Sequence, residues 1–293
     1  MSAAAKSADA AWSTACFDVS IASNVAHLRL NRPAEMNSMI PAFWRELPEI
    51  IHDIDDNARA RCIVISSTGK HFCSGMDLAV FGGGQPASGA RKGERGRSAA
   101  NLRRLVRDMQ ATFDCLDNAR MPVIAAIQGG CVGGAVDMTS ACDIRYCSAD
   151  AFFVIQEINI GMTADVGTFP RLCKLIPEGW VREMAYTGRR LPARTALRIG
   201  LVNEVLDDHE QVVAHALQTA REIASKTPLS VHGSKVMINY ARDHSLADGL
   251  DYIATWQAGM YNPEADMKEA LTARLEKREP QFDDLLPVRK PMS

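Results

Sequence analysis

Short apolar runs alternate with longer amphipathic stretches along the first two-thirds of the chain. Strand-like runs fall at residues 17–21, 25–30, 62–67 and 123–128, and helical patterns near 41–57 and 99–118. This alternation predicts an α/β core. From His209 onward the pattern is almost wholly helical, with breaks expected at Pro228 and Pro263. No internal repeat is visible in the sequence.

The most informative stretch follows the run at 123–128. A helix is expected to open at Gly133 and Gly134 and to carry Asp137. Residues three and four positions from Asp137 share its helix face; they are Gly133, Gly134, Ser140 and Ala141. All are small, so the carboxylate is expected to face open space. Glu157 falls in the alternating run Phe153, Ile155, Glu157, Asn159, which predicts a strand with Glu157 on the same side as two large apolar residues. Burial there raises a carboxylate's pKa and suits it to proton transfer. Asp165 follows Gly161 in a segment expected to turn helical near Val166, where it also reads as a cap. Singly, each acid reads equally well as a cap or a satisfied buried group. Together, beside a glycine-rich helix start, they point to a site.

The glycines at 129, 130, 133 and 134 do not form GxGxxG, and no Gly-Lys-Ser/Thr follows them. The pair Gly69-Lys70 precedes His71 where a P-loop needs Ser or Thr, and no GxSxG elbow is present. What remains is a strand, a tight glycine turn and a helix whose first N–H groups point outward. Such an N-terminus favours negative charge, on an enolate oxygen as readily as on a phosphate.

Five segments in order carry a resemblance: LNRPAEMNSM at 30–39, IVISSTGKHFCSGMDL at 63–78, PVIAAIQGGCVGGAVDMTSACDIRYC at 122–147, the acidic segment above, and TGRRLPARTALRIGLVNEV at 187–205. With them the chain resembles the crotonase family, also called the enoyl-CoA hydratase/isomerase superfamily. The resemblance implies a spiral of ββα repeats over 17–205, a helical trimerisation region over 206–293, and a homotrimer or dimer of trimers. Residues 1–16 are expected to be a frayed tail. It also implies an oxyanion hole for a thioester carbonyl, made by the backbone N–H groups of Met76 and Gly134, with Gly75 and Gly133 beside the substrate. Each such donor is worth about 3–4 kcal/mol, because it binds the enolate oxygen more strongly than the ground-state carbonyl. Asp77 reads as a helix cap; Asn37, Asp143 and Arg145 read as scaffold.

Hydratases of this family resemble one another in carrying two glutamates at the positions of Asp137 and Glu157. This chain has the shorter acid at the first and adds Asp165. Asp, Glu and Asp at these positions, with ADVGT at 164–168 and ARDHS at 241–245, resemble the 3,5-dienoyl-CoA to 2,4-dienoyl-CoA isomerases. That reaction removes a proton at C2 and adds one at C6, several ångströms away, so two acids serve it better than one. The resemblance implies Asp165 as base near C2, Glu157 as donor near C6, and Asp137 as a polar neighbour. An enoyl-CoA hydratase using Asp137 and Glu157 is the alternative. A non-catalytic acyl-CoA- or RNA-binding relative is a third reading. No cofactor is implied, because coenzyme A is part of the substrate.

The chain has 293 residues, 47% of them hydrophobic, and a formal charge of −2, enough to bury a sizeable core and offering little footprint for nucleic acid. No run is long and apolar enough for a membrane helix, and no Cys/His spacing suggests a metal. The eight cysteines lack CxxC pairing and several lie in apolar runs, as reduced buried thiols do. With no SKL-type terminus, a cytoplasmic setting is expected. The glycine-rich segment 82–98 carries Arg91, Lys92, Arg95 and Arg97 against Glu94. It reads as a solvated surface loop or, with Arg91 and Lys92, as a contact for CoA phosphates. His71 and His244 read as structural.

Overall fold

A computed structural model describes residues 10–77, 79, 95–261 and 263–288. In chain order the elements are β1 (Ala10–Ser13), β2 (Phe17–Ala22), β3 (Val25–Leu30), α1 (Phe43–Asp56), β4 (Cys62–Ser67), α2 (Arg95–Asn118), β5 (Val123–Ile127) and β6 (Gly130–Val132). There follow α3 (Gly134–Ser140), β7 (Ile144–Ser148), β8 (Phe152–Val154), α4 (Thr168–Leu175), α5 (Glu178–Thr187), β9 (Leu191–Pro192), α6 (Ala193–Ile199) and β10 (Glu204–Leu206). The C-terminal part is α7 (His209–Ala224), α8 (Pro228–Asp243), α9 (Leu246–Met260) and α10 (Asp266–Glu276).

Among the described residues one sheet has the order β1-β2-β3-β4-β5-β7-β10 and a second has β6-β8-β9. β1, β2 and β3 pair antiparallel, and β3, β4, β5, β7 and β10 run parallel. The units β5-β6-α3 and β7-β8-α4 each place one strand in the large sheet, the next in the small sheet, and then a helix. This is the expected ββα pattern. The register Ala26↔Ile63↔Val123 fixes which side chains face which way.

Ile63, Ile65, Val123, Ala125 and Ile127 face the larger core with Phe17, Phe43 and Phe113. The alternating positions Cys62, Val64, Ile124 and Ala126 face α7 through Val212, Ala216, Ala220 and Ala224. A parallel sheet covered on both faces explains why these strands read as unbroken apolar runs. Alanines at every fourth position give α7 a flat face that lies close on the sheet.

Two expected boundaries move. Residues 10–16 are not a tail: Trp12 pairs with Val19 across β1 and β2, and Glu46 accepts hydrogen bonds from Thr14 Oγ1 (2.8 Å) and the Cys16 amide (2.9 Å). The stretch 206–293 is not separate from the core either. β10 crosses its boundary, and α7 covers a sheet face that would otherwise expose apolar residues to water.

Candidate active site

The cleft is framed where the loop after β4 meets β6. Cys73 bridges Cys131, the Cys73 amide donating to Gly130 O (3.1 Å) and the Val132 amide to Cys73 O (3.1 Å). Met39 bridges Met76 in the same way: its amide donates to Gly75 O (2.8 Å), and the Asp77 amide donates to Met39 O (3.2 Å). The groups flanking Met76 are thus turned toward Met39, so its own N–H points to the opposite side. Gly134 opens α3, where a first-turn amide has no intrahelical acceptor. Among the described residues neither amide donates to a protein acceptor.

Two glycines make this approach possible. Gly75 has φ +84°, and a Cβ there would lie 2.6 Å from Val132 O and 3.2 Å from the Gly134 nitrogen. Gly133 has φ +55°, and its Cβ would lie 3.3 Å from Glu157 Oε1. Side chains at both positions would be strained; at Gly75 one would part the two backbones, and at Gly133 one would press on the Glu157 carboxylate.

Met76, Gly134, Glu157, Asp165, Trp44 and Val166 line one cleft of about 640 Å³. Gly75 and Gly133 line it too. Arg91 and Lys92 lie outside the described residues.

Glu157 is not on a strand. β8 stops at Val154, matching the three residues of β6 beside it, and Glu157 begins a short 3-10 turn, Glu157–Ile160. Its Oε2 is buried without a partner among the described residues. Burial first, then the nearby charge of Asp137, pushes its carboxyl up to about 7. Asp165 lies at the exposed rim of the same cleft, between buried Ala164 and Val166, and desolvation raises its carboxyl above the ordinary value. It is no helix cap, since α4 begins at Thr168 behind Gly167.

Asp137 does not face open space. It is fully buried, and its Oδ1 accepts the Thr168 amide at 2.6 Å. The small residues around it let the start of α4 close over the carboxylate. Oδ2 has no partner among the described residues, and burial pushes this acid up to about 6, against the opposing pull of Thr168 and Arg171.

The scaffold expectations hold. Asn37 donates to Thr68 O (2.8 Å) and His71 O (3.0 Å). Asp143 accepts from the Val123 amide (2.7 Å) and Lys235 (2.8 Å), and Arg145 is buried against Leu201 O (2.7 Å). Asp77 Oδ1 accepts the Ala79 amide at 2.9 Å and Asp77 also lines the cleft; apart from Ala79, the helix it was expected to cap lies outside the described residues. His71 Nδ1 accepts the Gly130 amide (3.0 Å) while its ring borders the cleft, and His244 stacks on Tyr240 at 3.7 Å. Trp44 and Met162 also line the cleft. Sequence reasoning missed them, because apolar residues in a helix and a loop carry no signal separating pocket wall from core.

A parallel-rich sheet with ββα units, paired inward amides and raised acids defines an acyl-thioester enzyme of the crotonase type. Residues 20–285 match the model of the family described as enoyl-CoA hydratase/isomerase, and the chain belongs to that family. It is similar to the mitochondrial Delta(3,5)-Delta(2,4)-dienoyl-CoA isomerase of Mus musculus, 43% identical, with 87% of this chain and 78% of the relative covered. It is also similar to the peroxisomal Delta(3,5)-Delta(2,4)-dienoyl-CoA isomerase of Arabidopsis thaliana, 40% identical over 90% of this chain and 94% of the relative. Among solved structures, the enoyl-CoA hydratase of Bacillus anthracis superposes with a TM-score of 0.79 at 28% identity, over 94% of this chain and all (100%) of that one.

These relatives overturn the expected cytoplasmic setting, since their names place them in mitochondria and peroxisomes. Seven buried thiols report apolar packing, which does not discriminate between compartments.

Proposed function

We propose that this chain isomerises 3,5-dienoyl-CoA to 2,4-dienoyl-CoA. The observation that carries the reading is that Glu157 and Asp165 line one cleft with Met76 and Gly134, whose amides have no acceptor among the described residues. The two amides hold the thioester oxygen and stabilise the negative charge that grows there as C2 loses its proton. Asp165, at the wetter rim, is the base at C2. Glu157, whose carboxyl burial raises to about 7 so that a substantial fraction keeps its proton at neutral pH, delivers a proton to C6. Loss at C2 and gain at C6 leave the proton count unchanged, so no cofactor is needed.

Asp137 takes no direct part. It raises the Glu157 carboxyl by its charge and anchors Thr168 from behind the wall. A hydratase needs two acids gripping one water, and Asp137 has one oxygen committed to Thr168 and no place in the cleft lining.

The substrate is an acyl-CoA thioester. The assembly is a homotrimer or a dimer of trimers, a reading supported by Ile238, Leu246, Leu250 and Leu275 on the C-terminal helices, which are 60–85% exposed. That much apolar surface on one region marks an interface.

The test is turnover of 3,5-dienoyl-CoA and 2-enoyl-CoA by the same purified protein. Conversion of the diene, lost in Asp165→Asn, supports the isomerase. Hydration of 2-enoyl-CoA that is unaffected by Asp165→Asn sinks it.

A further inference from the structure

Asp165 sits in a segment with little regular structure. Among the described residues, the amides of 163–167 donate to no other residue. The segment is tied at each end: the Met162 amide donates to Glu157 O (2.9 Å), and the Thr168 amide donates to Asp137 Oδ1 (2.6 Å). Between these anchors, among the described residues, two outside contacts reach the backbone: the Arg171 amide, from the first turn of α4, donates to Gly167 O (3.2 Å), and one side chain reaches Asp165 itself. The side-chain amide of Gln110, on α2, donates to Asp165 O at 2.7 Å.

Gln110 does not act from that helix alone. Asp114 and Asp117 lie four and seven residues further along α2, on the same face. Both receive Arg171 from α4, at 2.6 Å (Nη2 to Asp114) and 2.8 Å (Nε to Asp117). The Arg171 guanidinium in turn lies against Gly167, whose missing side chain leaves it room: a Cβ there would collide with Nη1. One face of α2 thus grips the acid-bearing segment at Asp165 and again just beyond it.

We propose that Gln110 is the positioning residue for the Asp165 carboxylate. Its bond to Asp165 O fixes the peptide plane between 165 and 166, and with buried Ala164 and Val166 on either side this sets the direction of the Asp165 Cβ. A base at the exposed rim of a cleft is only partly enclosed, so its backbone must help to hold it. The inference rests on the reading of Asp165 as the C2 base.

The experiment compares Gln110→Met, Gln110→Glu, Asp165→Asn and the double variant Gln110→Met/Asp165→Asn on 3,5-dienoyl-CoA. Met keeps the length of Gln without the N–H donor, and Glu keeps its shape but repels the carbonyl. Both single Gln110 variants are expected to lose about tenfold in kcat with KM within about twofold, since misplacing a reacting group by a fraction of an ångström costs turnover more than binding. The acid limb of the kcat profile should shift as the carboxylate changes surroundings. In the Asp165→Asn background, Gln110→Met should add no further loss, whereas a merely structural effect would add to it. Should the Met variant fail to fold, the Glu variant decides by the same readings. A wild-type kcat in a folded Gln110 variant, or full additivity in the double variant, overturns the proposal. Full activity of Asp165→Asn alone would instead sink the base assignment on which it stands.

Discussion

The amide of Thr168 donates to Asp137 Oδ1 at 2.6 Å, tying a fully buried acid to the segment that carries Asp165. Since the Met162 amide binds Glu157 O at the other end, the loop bearing the proposed base hangs between residues that carry the other two carboxylates. A change at any one of the three acids is therefore felt through the backbone as well as through charge.

The two proton transfers should be separable. In deuterated buffer, Glu157→Gln is expected to keep exchanging the C2 proton while isomerisation falls by about 10²–10⁴-fold, the usual worth of a positioned acid or base. Asp165→Asn should lose both. NMR of recovered substrate reads the difference, and C2 exchange that survives in Asp165→Asn would reverse or remove its assignment.

The pH dependence follows from the states each acid must hold. Glu157 donates only while protonated, so kcat should decline as pH rises through about 7. Asp165 accepts only while ionised, so kcat should also decline toward acid, from a point above the ordinary carboxylate value. The two limbs report the coupled pair. A bell-shaped kcat profile whose alkaline limb vanishes in Glu157→Gln is the expected result.

Asp137 should make the fold less stable as pH rises. Its folded pKa of about 6 lies above the ordinary 3.8, so the native state holds the proton that the unfolded state releases. The penalty begins above 3.8 and is complete above about 6, reaching about 3 kcal/mol. Urea titrations of Asp137→Asn should lack this slope and gain on the wild type toward pH 8, with Asn Oδ1 still able to accept the Thr168 amide. Parallel curves for the two proteins would refute it.

Gly75→Ala should cost stability and activity together. The backbone at φ +84° strains any side chain, by about 1–3 kcal/mol, and the new methyl would press on Val132 O at 2.6 Å. That contact would part the strands presenting Met76 and Gly134, so kcat should fall with the unfolding midpoint. A stable variant with normal turnover would mean that the paired amides tolerate separation.

The exposed C-terminal apolar surface predicts its own test. Leu246→Glu with Leu250→Glu, both on α9 at 80% and 60% exposure, should shift the sedimenting species toward the monomer. An unchanged mass would place any interface elsewhere.

The core strands and first helices were legible in the sequence because a parallel sheet buried on both faces writes itself as unbroken apolar runs, and Val123–Ile127 needed no partner to be recognised. The glycine turn into α3 was legible because only glycine accepts the backbone at Gly133. Local composition could not say what fills the space beside Asp137. The small residues that suggested an open face are what let Thr168 reach the carboxylate, a contact across 31 positions. Alternation suggested a strand through Glu157, but strand length is set by the partner, and β6 ends after three residues. Chain order likewise hid the role of α7, which belongs to the core because the second sheet face had to be covered. The sequence by itself determined which chemical groups exist and which backbone turns are possible. Tertiary packing alone decided which acids share a cleft and how far each is removed from water, because desolvation and charge coupling depend on neighbours distant in the chain.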